Sequence, residues 1–317
     1  METRLSRRRA MAVNAGLGAA ISGTRAANEP LLEWRGTALG ADATFIFSAT
    51  DRGRAEEAIA ASLAEVERLE GIFSLHRSDS EISLLNRHGV LSDPSFDMLA
   101  LLLQARALHQ GTEGVFDPTV QVIWDFARGE IAAKRTWTGI VPPHVMQRVG
   151  FQSVDITQRR IALTPGASIT LNGIAQGYVT DRVADILRGR GWHNVLVDLG
   201  EVRALEGRQF DVAIKGDVGK IGLRDAALAT SSAVPLPVGR ASSMPHIFDP
   251  KSGSAAPRRW TTVTVRHPSA TIADALSTAL LLTDTGKASA AERIVSRFPG
   301  TTAWFSASDQ TEVLVGN

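Results

Sequence analysis

Asp274 and Thr278 stand four residues apart in Ala273-Asp274-Ala275-Leu276-Ser277-Thr278-Ala279. On a helix this spacing projects a carboxylate and a hydroxyl from one face. Such a pair suits a hard cation such as Mg²⁺, which takes oxygen ligands, and the small alanines let a neighbour approach closely. The same residues also fit a structural role, with Asp274 capping the helix and Thr278 bonding back to its own backbone. A second segment is Asn172-Gly173-Ile174-Ala175-Gln176-Gly177-Tyr178, followed by Asp181. Its glycines bring backbone groups close to a ligand, and the helix that begins here offers free N–H groups to an anion. Its structural alternative is a helix start with Tyr178 packed inside. A third segment is Met244-Pro245-His246-Ile247-Phe248-Asp249-Pro250-Lys251-Ser252-Gly253. Asp249, Pro250 and Gly253 read as a turn, which leaves His246 unexplained. His246 lies three residues before Asp249, a carboxylate that can orient an imidazole.

These segments need elements to hold them. Ile174–Arg190 and Ile272–Leu282 have helical patterns, as do Asp51–Phe73, Ser95–His109 and Lys287–Arg297. Strands are expected around Phe45 and Phe47, in 151–164, at Val195–Asp198, Phe210–Ile214 and Thr261–Val265, and as a final pair in Thr302–Val315. Residues 74–89 read as a loop, 111–120 as turns and 129–144 as an exposed connection. Helices and strands are interspersed without strict βαβ alternation, which predicts an α+β layered fold. Gly189-Arg190-Gly191 lacks the third glycine of a dinucleotide fingerprint, and Gly216–Lys220 is too short for a phosphate loop.

The chain has 317 residues, 44% hydrophobic and 21% charged, enough to bury a core. The absence of Cys removes disulfides, zinc-thiolate sites and thiol nucleophiles. A net charge of +1 makes no electrostatic case for nucleic acid. No run of about 18 apolar residues occurs, so no transmembrane span is expected. Residues 1–27 carry a basic block, Ser6-Arg7-Arg8-Arg9, then an apolar Gly/Ala-rich run ending in Ala26-Ala27. This resembles an export signal of twin-arginine type, which predicts a periplasmic protein with its working domain at 28–317. The leader holds five Arg and one Glu; the remaining 29 basic and 32 acidic residues give a net charge of −3.

In order and rough spacing, the three segments resemble the FAD:protein FMN transferase family, the ApbE-like proteins. Phe73–Asn86 (FSLHRSDSEISLLN), Gly114–Val120 (GVFDPTV) and Leu228–Val234 (LATSSAV) extend the likeness to about residues 34–315. The resemblance implies a T-fold-type α+β catalytic domain that uses Mg²⁺. It implies that FAD is the substrate, that FMN is transferred to a Thr or Ser hydroxyl of an acceptor flavoprotein, and that AMP leaves. It further implies metal ligands at Asp274, Thr278 and the Ala175 carbonyl, and FAD contacts at Ser80, Glu81, Asn86, Gly173, Gln176, Tyr178, Ser231, Ser232, His246 and Asp249. His246 is the candidate base for the acceptor hydroxyl, a task that Asp274 can share. Three positions depart from the family pattern. The usual DLGGIAKG is TLNGIAQG, placing Gln176 where a Lys is common; a Gly-Gly-acid pattern becomes Gly200-Glu201 after Asp198; and His76 replaces a frequent Tyr. LNGIAQGYVTD with NVLVDLGEVRAL looks most like a branch linked to nitrous oxide reductase maturation, whose acceptor is a membrane flavoprotein. The departures keep two other readings open: a non-catalytic periplasmic FAD-binding assembly protein, and an FAD pyrophosphatase.

Overall fold

Phe45 and Phe47 of the strand Ala41–Ser48 pack into the main core, while Ile46 between them packs into a second one. Val195 and Val197 split from Leu196 in the same way. Successive strand residues point to opposite faces, so a strand that buries both sets belongs to a sheet covered on both sides. The computed structural model describes residues 31–49, 51–133, 137, 139–214, 219–238, 242–257 and 259–316. The leader 1–27 lies outside the described residues, as do parts of the 129–144 connection and of the Gly216–Lys220 stretch.

The main sheet has eight strands in chain order: Leu31–Ala38, Ala41–Ser48, Val195–Asp198, Val202–Ala204, Ala226–Ser232, Thr262–His267, Thr302–Ser306 and Glu312–Gly316. Every neighbouring pair is antiparallel, so the α+β class expected from the sequence is the one adopted. The helices Arg52–Phe73, Ala175–Gly189 and Ala270–Leu280 send Val66, Leu69, Val183, Leu187, Leu276 and Leu280 into the main core. The second face is closed by the hairpin Phe210–Ala213 with Lys220–Leu223, whose Phe210, Val212 and Leu223 join Leu196, Val202 and Leu228. A third cluster joins Val122, Ile123 and Ala127 to Val145, Met244 and Phe248. It anchors the segment that carries His246.

Three stretches differ from the sequence reading. The expected loop at 74–89 contains the helix Glu81–His88, with Ser80 accepting from the Ser83 N–H and Gly89 closing the helix at φ 71°. It buries only Ile82 and Leu85, too few positions to reveal a helical period. The helix Gln121–Ala132 extends into the expected connection and has a nearly continuous apolar start at Val122-Ile123-Trp124. The strand Ala226–Ser232 also carried no alternating signal, because its first four residues are all buried and three of them are alanine.

Candidate functional site

Gly177 lies where the helix Ala175–Gly189 meets the start of the helix Ala270–Leu280. A Cβ there would sit 2.8 Å from the Thr271 Cα and closer still to the Ala270 carbonyl. Only glycine permits this approach. The contact lets the Gly177 N–H donate to Asp274 Oδ2 at 3.0 Å. Asp181, one turn further on, caps the partner helix. Its carboxylate accepts from the Ala270 and Thr271 N–H groups, each at 2.9 Å, and from the Ser269 and Thr271 hydroxyls. The carboxylate is therefore stabilised at the positive end of that helix.

One turn along the same face, Thr278 Oγ1 lies 3.1 Å from Ser231 Oγ, which is 2.8 Å from Ser277 Oγ. Gly173 closes over Thr278; a Cβ there would stand 3.0 Å from its hydroxyl. Asp274, Thr278, Ser231, Gly173, Ala175 and Gln176 thus come together around the junction of two helices and one strand.

Asp274 is 3% exposed, and burial pushes its carboxyl up to about 7, against the hydrogen bond from Gly177. Glu201, missed by the sequence reading as a site residue, is buried in the turn between Val195–Asp198 and Val202–Ala204. It is raised well above the usual carboxylate range by burial and then by the nearby charges of Asp274 and Asp198; the Thr230 N–H opposes this by donating to it. Burial raises Asp198 as well. Among the described residues, none of these three carboxylates forms an ion pair within 4 Å, and no three His, Cys, Asp or Glu groups form a ready metal cluster. A cation held here therefore draws on hydroxyl and backbone oxygens as well as carboxylate.

His246 occupies the adjoining region. Its Nδ1 is shielded from solvent and has no hydrogen-bond partner, while its backbone carbonyl accepts from Trp124 Nε1 at 3.0 Å. Burial lowers its pKa below the ordinary histidine value. It lines a cavity of about 60 Å³ with Ala233, Pro235, Pro245, Ile247, Ala255 and Ala256. Ala233 follows the end of the strand Ala226–Ser232 and is two residues beyond Ser231, a span of about 7 Å, so this chain run leads from the Asp274 cluster to the imidazole cavity.

The other expected site residues are engaged within the fold. The Tyr178 hydroxyl donates to Asp97 Oδ1 at 2.8 Å, and its ring meets the edge of Phe73. Asp249 builds the expected turn, accepting from the Lys251 N–H and the Ser252 hydroxyl. Ser80 caps its helix and donates to the Ser74 carbonyl. Glu81 accepts from the N–H and hydroxyl of Ser95. Asn86 pairs both its amide atoms with the Ile169 backbone, four residues before Gly173. Ser232 donates to the Thr261 carbonyl.

Residues 39–304 match the model of the ApbE family. The chain is 30% identical over 246 residues to the FAD:protein FMN transferase of Vibrio cholerae, covering 68% of this chain and 70% of that protein. It is 28% identical over 243 residues to that of Haemophilus influenzae, covering 68% and 69%. In fold it is similar to the apo crystal structure of the Pseudomonas stutzeri flavinyl transferase ApbE, with a TM-score of 0.73 at 23% identity over 92% of this chain and 95% of the other.

Proposed function

The chain belongs to the ApbE family, and from that premise we propose that it is an FAD:protein FMN transferase. It moves FMN from FAD to a Thr or Ser hydroxyl of an acceptor flavoprotein and releases AMP. The observation that carries this reading is the buried junction of Asp274 and Thr278 with the Gly173–Gly177 segment. The all-oxygen donor set and the carboxylates without cationic partners fit a hard divalent cation. Asp274, Thr278 and the Ala175 carbonyl are the groups to hold Mg²⁺. When bound, it offsets the negative charge of the FAD pyrophosphate.

The residues of the chain supply the rest. The acceptor hydroxyl oxygen attacks the phosphorus of the FMN half, and its proton passes to His246. The bond from that phosphorus to the oxygen of the AMP half breaks, and AMP leaves with the electron pair. His246 suits this role because burial keeps its imidazole neutral and its Nδ1 is not engaged elsewhere. Asn86 acts on the FAD site from a distance by fixing the backbone that leads into Gly173.

Incubation with FAD, Mg²⁺ and a Thr-bearing acceptor is expected to add the mass of FMN to the acceptor and release AMP. FMN and AMP without an adduct would instead mark a pyrophosphatase, and intact bound FAD a non-catalytic binder. The leader 1–27 supports export of twin-arginine type to the periplasm, where a membrane flavoprotein of the nitrous oxide reductase maturation kind would be the acceptor. Replacing Arg8 and Arg9 by Lys is expected to leave the protein in the cytoplasm on fractionation.

A further inference from the structure

The two departures at Gln176 and Gly200-Glu201 are far apart in the chain but meet in the fold. A Cβ on Gly200 would lie 2.6 Å from Gln176 Nε2, and Gly200 holds φ 103°, which turns the next residue inward. That residue is Glu201. It is 4% exposed, and its Oε2 has no hydrogen-bond partner. A buried carboxylate oxygen without a partner is costly unless something arrives to satisfy it. The Thr230 N–H donates to the Glu201 carboxyl, and Thr230 precedes Ser231, whose hydroxyl touches Thr278. Asp274 is close enough to repel the Glu201 charge. The unsatisfied oxygen therefore belongs to the cluster already assigned to the cation. Where the family commonly has a Lys, this chain has a neutral amide at Gln176, while the acid of the adjoining turn is kept as Glu201. The missing Lys charge beside a buried carboxylate makes the pocket more negative and favours a positive occupant.

We propose that Glu201 is an additional carboxylate of the divalent-cation site, supplying its unpartnered oxygen beside Asp274 and Thr278. The proposal rests on the cation reading given above. Its test is direct titration of the full chain with Mn²⁺, followed by the EPR signal of the free ion, so that no catalytic turnover is needed. Glu201→Gln keeps the size of the side chain and an acceptor for the Thr230 N–H. It is expected to weaken Mn²⁺ binding by about tenfold or more, while the metal-free protein unfolds at an unchanged or higher temperature. Asp274→Asn provides the reference. If it abolishes binding while Glu201→Gln weakens it by less than about tenfold, the role of Glu201 is overturned and the cation site stands. If the wild type itself binds no Mn²⁺, both readings fall. If Glu201→Gln unfolds, Glu201→Met removes the charge with similar bulk, and the same criterion applies.

Discussion

In the proposed transfer, His246 would meet the acceptor as a neutral imidazole because its surroundings strip water from it. Depressed below the ordinary value of about 6.5, it stays unprotonated through neutral pH. Transfer is therefore expected to hold steady around neutrality and to fall only as acidification protonates the ring below that value. Single-turnover rates measured against pH should show this limb in the wild type. His246→Gln should lose about 10²- to 10⁴-fold in rate and lack the limb; a retained limb would assign the titration elsewhere. The same depression has a stability sign: below about pH 6.5 the unfolded chain binds that proton more readily, so acid weakens the fold. Tyr178 and Asp97 make a second residue-scale case. Burial acts to raise Asp97, but hydrogen bonds from Tyr178 and Arg68 outweigh it and hold its pKa below the usual carboxylate value. Stability from this group is present above the unfolded pKa and is lost as pH falls through the folded one. Tyr178→Phe removes one of those bonds, at a cost of about 1.5–3 kcal/mol. The midpoint of acid unfolding, followed by circular dichroism, should move to higher pH.

At the scale of elements, the site depends on how closely two helices approach. Gly177→Ala would drive a methyl group into the backbone at Ala270 and Thr271, atoms that cannot swing aside. The expected cost is about 3 kcal/mol, a drop of roughly 6–12 °C in melting temperature for a domain of this size. Because the Gly177 N–H also bonds Asp274, Mn²⁺ affinity should fall in the same variant; an unchanged affinity would separate the helix junction from cation binding. The sequence makes both helices of this junction readable, since the Ala175–Gly189 and Ala270–Leu280 runs carry helical patterns and small residues. The spacing of Asp274 and Thr278 places both on one helix face, while their assignment as cation ligands rests on the family resemblance. Glu201 does not: it sits in a short turn where a carboxylate normally faces water, and its burial arises only when Ala226–Ser232 and the helix junction fold over it. Tyr178 also shows a role that the sequence does not reveal. It lies within a ligand-like segment, yet its position two residues into the helix's buried stripe turns it toward Asp97. The helix Glu81–His88 escapes notice because capping by Ser80 and Gly89, not apolar periodicity, defines it.

At the scale of the molecule, residues 1–27 and 28–317 differ in charge. The net +1 of the chain becomes −3 once residues 1–27 are set aside. A chain with this balance does not attract a pyrophosphate by its overall field, so the proposed transfer needs local neutralisation, which the cation proposed at the Asp274 junction would supply. The strand Leu31–Ala38 forms one edge of the eight-stranded sheet and pairs along its full length with Ala41–Ser48. Its Trp34 meets Phe45 edge-to-face at 5.5 Å, and Phe45 is fully buried. A chain starting at Asn28 keeps this strand and loses only residues 1–27. It is expected to match the full-length melting temperature and, given FAD, Mg²⁺ and an acceptor, the full-length transfer rate. A chain starting at Ala41 loses the strand, uncovers Phe45 and leaves the backbone of Ala41–Ser48 as an unpaired edge, a template for association between copies. Its melting temperature should fall by about 5 °C or more, and light scattering should rise with concentration. Equal stability of the two truncations would mean that the first strand contributes nothing to the sheet.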